Sequence, residues 1–262
     1  AAREYYSGGK TYMSRWNRLK KYTGGLFLHK GSHDFDILNW FNLPARPVRV
    51  SAFAAVNNLN PESLPFDLEP GEKAGPNCET CQVAYKCPDA LVSAAKRESD
   101  QKPLFDMETA KEDDYVKDLC MFLSDKDTFD NAVAILEYDN GSRAMHSEVF
   151  VTPLSNRWYS IAGSTGHLEI DLGALSIKQF PRWSDNCITH QIAPARGGHG
   201  GSDPTLVDGF IGAVVRGERP RAGAIDGLWS IAVGVAAEIS REENRIVEIT
   251  EVMDPNHPLL KE

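Results

Sequence analysis

Five ionisable side chains stand close together near the start of the sequence: His29, Lys30, His33, Asp34 and Asp36. They follow a Gly-Gly pair and lie among apolar residues. His33 and Asp36 are three residues apart, so on a helix they would share one face. An imidazole beside a carboxylate can exchange protons with a substrate, and a neighbouring lysine can exchange one with a hydroxyl. We predict His33, Lys30 and Asp36 as catalytic groups; the alternative is a structural ion pair at a helix start.

Four cysteines form a second candidate site: Cys78, Cys81 and Cys87, spaced Cys-x2-Cys-x5-Cys, and Cys120. Two cysteines separated by two residues can hold one metal ion, and tetrahedral zinc needs four ligands. Such a pair in an irregular, polar segment is typical of a loop stapled by metal. We predict structural zinc; one disulfide with spare thiols, four free thiols and an iron–sulfur cluster are the alternatives.

A glycine-rich loop, Gly-Gly-His-Gly-Gly-Ser-Asp-Pro, occupies residues 197–204. Glycines let backbone approach a ligand closely, and a following helix N-terminus favours an anion or a hydroxyl. We predict that His199 and Asp203 contact substrate; a flexible crossover loop is the alternative. The sequence contains no strand-Gly-x-Gly-x-x-Gly-helix unit, so we expect no Rossmann domain within this chain.

Composition sets broad limits on function. The chain has 262 residues, 42% of them hydrophobic and 25% charged, which fits one large domain over residues 1–262. A net charge of −9 argues against nucleic acid as a partner, and no apolar run approaches the roughly 18 residues of a membrane span. An odd number of cysteines, five, fits a reducing compartment, so we expect a cytoplasmic protein.

The periodicity predicts an α+β fold: an open, mainly antiparallel β-sheet with helices packed on one face. Residues 1–23 are expected to be an extended or loop lead-in, followed by a helix over 33–41. An irregular, cysteine-containing insert covers about 55–127, with short helices near 88–97 and 112–121. The remaining predicted strands are 48–52, 132–138, 143–150, 158–163, 167–172, 175–180 and 246–250. The remaining predicted helices begin at Asp203-Pro204 and span 225–241.

Three stretches together resemble the C-terminal domain of the glucose–fructose oxidoreductase/inositol dehydrogenase (Gfo/Idh/MocA) family. The first runs from Gly24-Gly25 to His33-Asp34-Phe35-Asp36, and the second is Ile-Ala-Gly-Ser-Thr-Gly-His-Leu-Glu-Ile-Asp at 161–171. The third, residues 226–240, is similar to the family's last long helix. The resemblance covers nearly the whole chain and implies a dihydrodipicolinate-reductase-like α/β domain.

The resemblance also implies a function. In that family an N-terminal Rossmann domain holds NAD or NADP, and the C-terminal domain lines a sugar or polyol site and forms a homo-oligomer through its open sheet. His33 matches the family's catalytic histidine. The family's usual aspartate four residues earlier is replaced here by His29, and Lys30 is a candidate to replace a catalytic lysine of the absent domain. His29, Asp34 and Arg15, with His199 and Asp203, are the expected substrate contacts.

Three functions therefore stay open on the sequence. The first is the substrate-binding and dimerisation domain of an NAD(P)-dependent sugar or polyol oxidoreductase. The second is a redox-assisted glycosidase or lyase of the same family, in which a transient ketone acidifies a neighbouring C–H bond. The third is a non-catalytic, zinc-stapled interaction domain.

Overall fold

The computed structural model describes residues 1–6, 9–91, 116–254 and 256–260. Their strands form one nine-stranded sheet in the order β8-β7-β6-β5-β1-β4-β3-β2-β9. Strands β1 and β4 pair in parallel, and every other neighbouring pair is antiparallel. The strands are β1 Ala2–Tyr5, β2 Pro47–Ala55, β3 Asn131–Tyr138, β4 Arg143–Val149, β5 Asn156–Gly163, β6 Gly166–Asp171, β7 Ser176–Pro181, β8 Ile188–Gln191 and β9 Val247–Glu248.

The helices are α1 Gly9–Met13, α2 Lys20–Thr23, α3 Leu26–His29, α4 Gly31–Asn42, α5 Gly198–Arg216 and α6 Ala224–Glu243. Helices α4 and α6 cover one face of the middle of the sheet, whereas α5 is exposed along nearly its whole length. Short 3-10 helices occupy Trp16–Arg18, Pro61–Ser63, Ala84–Lys86, Ile249–Glu251 and Pro258–Leu260. No helix among the described residues is long and apolar enough to cross a membrane.

The core lies between the sheet and the pair α4 and α6. From α4, Phe35 and Leu38 are buried, each contributing about 1.5–3 kcal/mol by leaving water. Helix α6 buries small residues such as Ala236 and Ala237. At Gly234 an added Cβ would lie 3.0 Å from the carbonyl oxygen of Phe27, so glycine there lets α6 approach α3 closely.

The opposite face of the sheet carries exposed apolar side chains. Phe53 lies beside Val133 on the neighbouring strand, and Ile135 lies beside Met145. Phe53 and Ile135 remain 66% and 51% exposed. This outer patch, defined by these four residues, has no cover within the described part of the chain.

Most predicted elements are confirmed, with boundaries shifted by a few residues. The segment around Asn140-Gly141 forms a tight turn between β3 and β4, and Gly141 has the positive φ of 80° that such turns require. In the glycine-rich loop, positive φ values at His199, Gly200 and Gly201 interrupt α5. Its regular part therefore begins near the predicted Asp203-Pro204 start.

The extended or loop lead-in expected over residues 1–23 is extended at Ala2–Tyr5, which form β1 in the interior of the sheet, but Gly9–Met13 and Lys20–Thr23 are helical. Strand β8 was not predicted, and its side chains are exposed. Residues 116–121 are not helical, while the rest of the helix expected over 112–121, and 92–97 of the one expected near 88–97, lie outside the described residues.

We predict that Gly25→Ala destabilises the fold much more than Gly141→Ala. Both glycines have positive φ, so each alanine incurs a backbone cost of about 1–2 kcal/mol. Only at Gly25 would the new Cβ also lie 2.1 Å from the carboxylate of buried Glu238, whereas nothing lies within 4 Å at Gly141. Urea denaturation measures both; equal losses of unfolding free energy would show that the contact with Glu238 is unimportant.

Candidate active site

A cluster of charged side chains is buried where α4 covers the central strands. Glu4 on β1 pairs in register with Glu148 on β4 and with Arg157 on β5. Asp34, on α4, packs against these side chains. Glu4, Asp34 and Glu148 are 3%, 1% and 0% exposed. Isolated carboxylates are costly to bury, so their partners decide whether this arrangement can exist.

Arg157 joins two of these carboxyl groups. Its Nη2 lies 2.7 Å from Glu4 Oε1, and its Nε donates to Asp34 Oδ2 at 3.3 Å. The hydroxyl of Tyr159 donates to the other oxygen of Asp34 at 2.9 Å. Lys30 places Nζ 3.2 Å from the same Glu4 oxygen and stacks over the ring of Tyr6. One arginine and one lysine thus pair with the carboxyl groups of this cluster.

The two nearest carboxyl groups hold their protons unequally. Burial, together with the adjacent Asp34 and Glu148, raises the pKa of Glu4 to about 8. Burial also opposes the charge of Asp34, but hydrogen bonding with Glu4 and the charges of His146 and Arg157 outweigh it and lower the pKa of Asp34. These opposite shifts describe a protonated Glu4 beside an ionised Asp34.

A second pair lies deeper. His146 and Glu148 are both fully buried on β4, with His146 Nε2 3.5 Å from Glu148 Oε2. Burial raises the pKa of Glu148. The ring of Phe35 packs against His146 at 5.1 Å between centroids. None of the ring nitrogens or carboxylate oxygens of this pair has a hydrogen-bond partner among the described residues.

His29, Lys30 and His33 lie at the edge of the cluster, which we call the rim; two of them are histidines. His33 is exposed on α4, and His29 is partly buried on α3, where Asn17 hydrogen-bonds its Nε2 at 2.9 Å. Partial burial, then the charges of Arg157 and Lys30, lower the pKa of His33 below 6.5. Partial burial, then His33 and Lys30, lower that of His29. Both imidazoles are therefore neutral at neutral pH and able to accept a proton.

One predicted role changes. Asp34 is not available to substrate, because it is buried and held by Arg157 and Tyr159. Asp36 makes no hydrogen bond or ion pair with His33 among the described residues; burial and the charge of Asp226 raise the pKa of Asp36. The i, i+3 spacing places the two on neighbouring positions of α4, where the charge of His33 partly offsets that rise, and the orienting role of Asp36 stays a prediction.

The remaining expected substrate contacts lie in different places. Arg15 precedes the 3-10 helix Trp16–Arg18, and its carbonyl accepts a hydrogen bond from Arg18. His199 and Asp203 are exposed and form an ion pair of 2.8 Å with each other at the start of α5. No hydrogen bond or ion pair joins that pair to the α4 cluster within the described residues. Their substrate roles stay predictions.

The four cysteines come together as their spacing predicted. Cys78, Cys81, Cys87 and Cys120 all line one cavity of about 20 Å³, and none forms a disulfide. Burial raises the pKa of Cys78 to about 11. No three His, Cys, Asp or Glu side chains in the described residues are arranged as metal ligands. Proximity is thus observed and ligation is not.

Sequence reasoning missed the buried partners of the site. Glu4, Arg157 and Tyr159 come from β1 and β5, far from α4 in the chain. Strand β4 gave no signal either: Met145 and Val149 alternate with His146 and Glu148, and the structure buries the two ionisable residues rather than Met145.

We predict that wild-type stability falls relative to Glu4→Gln as the pH rises from about 5 to 8. The pKa of Glu4 is raised from 4.5 to about 8 on folding, so the folded state binds more protons across that window. The stabilisation is complete below the lower value and lost above the upper one, with a slope of at most about 1.4 kcal/mol per pH unit. Glutamine keeps the size and polarity of the side chain without titrating.

Urea denaturation at several pH values gives this difference, and Glu62→Gln at an exposed position is the matched control. Parallel pH curves for wild type and Glu4→Gln would contradict a protonated Glu4.

The chain is similar to known proteins in sequence and in fold. Residues 2–249 match the family described as "Oxidoreductase family, C-terminal alpha/beta domain" (Gfo/Idh/MocA). The chain is 32% identical over 268 aligned residues to YteT of Bacillus subtilis (strain 168), whose name assigns it provisionally to the oxidoreductases. The alignment covers 93% of this chain and 60% of YteT, so the chain spans less than two thirds of that relative.

Solved structures share the fold. A levoglucosan dehydrogenase in complex with NADH and levoglucosan superimposes with a TM-score of 0.62 at 12% identity, covering 95% of this chain and 57% of the other. An oxidoreductase domain protein from Kribbella flavida gives 0.59 at 16% identity, covering 95% and 58%. With a match that spans nearly its whole length, the chain belongs to the Gfo/Idh/MocA oxidoreductase family, of which it carries the C-terminal α/β domain.

Proposed function

We propose that this chain is the substrate-binding part of a nicotinamide-dependent sugar or polyol oxidoreductase. The observation that carries the proposal is the rim, where neutral His33 and the ammonium of Lys30 stand together above a buried cluster of carboxyl groups. The family's chemistry is oxidation and reduction, and the levoglucosan dehydrogenase of the same fold binds NADH and a sugar. A neutral base beside a cation suits removal of a proton from a hydroxyl.

The nicotinamide would be bound mainly by a part of the protein outside this chain. The chain spans 60% of YteT, which leaves room for a cofactor-binding domain in a protein of that length. When bound, the nicotinamide accepts the hydride of a C–H bond. NAD and NADP fit equally, because the residues that would distinguish them belong to the same absent part.

Within this chain His33 would accept the hydroxyl proton of the alcohol carbon. Its lowered pKa keeps the imidazole unprotonated at neutral pH, and its exposure leaves it within reach of a ligand. Lys30 would stabilise the developing alkoxide, since Glu4 holds its Nζ from below. Because a protonated Glu4 is uncharged, it does not neutralise the ammonium of Lys30, whose charge stays available to a ligand.

The neighbouring aromatic residues suit a sugar ring. His29 lies edge-on to Tyr12 and Trp16 at centroid distances of 5.7 and 5.5 Å. Trp16 is 39% exposed. Aromatic faces bury the apolar face of a sugar, while the imidazole of His29 offers a polar atom to a hydroxyl. This replaces the family's usual aspartate with a neutral group.

We predict that Lys30→Met and His33→Gln each lower kcat by about 100-fold or more in the protein that includes the cofactor-binding part. The substitutions remove the cation and the base. The assay follows reduced nicotinamide with NAD or NADP across a panel of sugars and polyols. In wild type the rate should decline only below about pH 6.5, since the pKa of His33 is lowered from that value.

Lys21→Met and His190→Gln, at exposed positions, are the matched controls. Near-normal kcat in either test variant would overturn the role of that residue. The redox-assisted glycosidase or lyase is distinguished in the same assay: it would turn over substrate without net accumulation of reduced nicotinamide.

We also propose that the outer patch binds a second copy of this chain. The outer patch is apolar and exposed, and it consists of Phe53, Val133, Ile135 and Met145. Pairing with the same face of a second copy would remove this apolar surface from water. The patch lies on the face opposite the charged cluster, so association leaves the rim open.

We predict that Ile135→Asp converts a dimer into a monomer in sedimentation experiments, because a two-fold interface would bury the carboxylate twice. The circular dichroism spectrum should be unchanged. Leu206→Asp, on exposed α5, is the control and should leave the dimer intact. A monomeric wild type, or a dimeric Ile135→Asp, would contradict this interface.

A further inference from the structure

We propose that Cys78, Cys81, Cys87 and Cys120 bind one zinc ion that staples the irregular insert. The proposal goes beyond the oxidoreductase function, because these cysteines lie in the insert, apart from the charged cluster. All four line a single small cavity whose other walls are mostly apolar. About 20 Å³ holds one water-sized particle, which is the scale of a single ion among its ligands.

The backbone brings the cysteines together independently of their side chains. Asn77 and Leu119 form an isolated antiparallel bridge. The amide of Cys78 donates to the carbonyl of Asp118 at 2.8 Å, and that of Cys120 donates to Pro76 at 2.9 Å. Two cysteines 42 positions apart are thereby fixed side by side. Cys81 and Cys87 flank the 3-10 helix Ala84–Lys86.

Backbone amides already point at the sulfurs. The amide of Gly75 donates to Cys81 Sγ at 3.3 Å. The amides of Leu91 and Asp89 hydrogen-bond the thiols of Cys78 and Cys87. Such donors stabilise thiolates in metal sites and orient them. A set of free thiols in an apolar cavity has no need of these bonds.

The described part of the insert has little regular secondary structure, although Leu59, Met121 and Phe122 pack into the core. Between β2 and β3 its described residues form no strand or helix longer than three residues, apart from the isolated bridge. A metal ion supplies folding energy where regular structure is lacking. Four thiolates in tetrahedral geometry favour zinc.

Binding requires small rearrangements. The thiols are not yet in a ligand arrangement, but each can turn about its single Cα–Cβ bond toward the cavity. Zinc would displace the four thiol protons to solvent and form four Zn–S bonds of about 2.3 Å. No electron is transferred, so no oxidant or reductant is needed.

The first experiment measures metal in the purified 262-residue chain by elemental analysis. We expect about one zinc per chain. Cys81→Ser and Cys120→Ser should each lose about nine tenths of it, and Cys187→Ser, the exposed fifth cysteine, should keep it. Zinc retained in both ligand variants, or iron with sulfide in place of zinc, would overturn the proposal.

The second experiment needs no variant and so does not depend on folding of the serine proteins. Cobalt(II) added after zinc removal should give the intense visible absorption of tetrahedral thiolate ligation. Native wild type treated with a maleimide should react at Cys187 alone, and at all five cysteines after denaturation with a chelator. Five reactive thiols in native protein, or disulfides seen by mass, would overturn the proposal.

Discussion

The structure depends on how three buried carboxyl groups are accommodated. Glu4 and Glu148 face each other across the parallel pair β1 and β4, and Asp34 closes over them from α4. Three ionised carboxylates packed together in the core would repel one another and lose their hydration, which would strongly destabilise the fold. Arg157 from β5 bridges two of them, and a proton retained by Glu4 removes one charge. The position of β1 inside the sheet, and of α4 above it, is therefore tied to this network.

The same network shapes the rim. Lys30 is anchored by Glu4, so its ammonium has a fixed place beside His33. Partial burial, together with the charges of Arg157 and Lys30, lowers the pKa of His33. In the proposed function, buried groups that do not contact substrate would thus position the base and the cation. The family's usual aspartate at the His29 position would add a negative charge here; in this chain the partly buried imidazole of His29 is neutral instead.

Two further surfaces are independent of this site. The outer patch lies on the other face of the sheet, and the cysteines lie in the insert between β2 and β3. The outer patch is an exposed apolar area, and the cysteines lie in a segment with little regular structure. The chain therefore combines a chemical rim, an apolar face and a thiol cluster without requiring any to share residues.

Local patterns in the sequence determined the helix carrying His33, the Asn140-Gly141 hairpin and most strands, because periodicity and turn chemistry act over a few residues. They also brought out the four cysteines and the resemblance to the oxidoreductase family. Tertiary structure alone decided that β1 lies inside the sheet and that Glu4 and Arg157 join Asp34. Those facts depend on cross-strand register between segments more than 100 residues apart, and on burial, which sets which carboxyl keeps its proton.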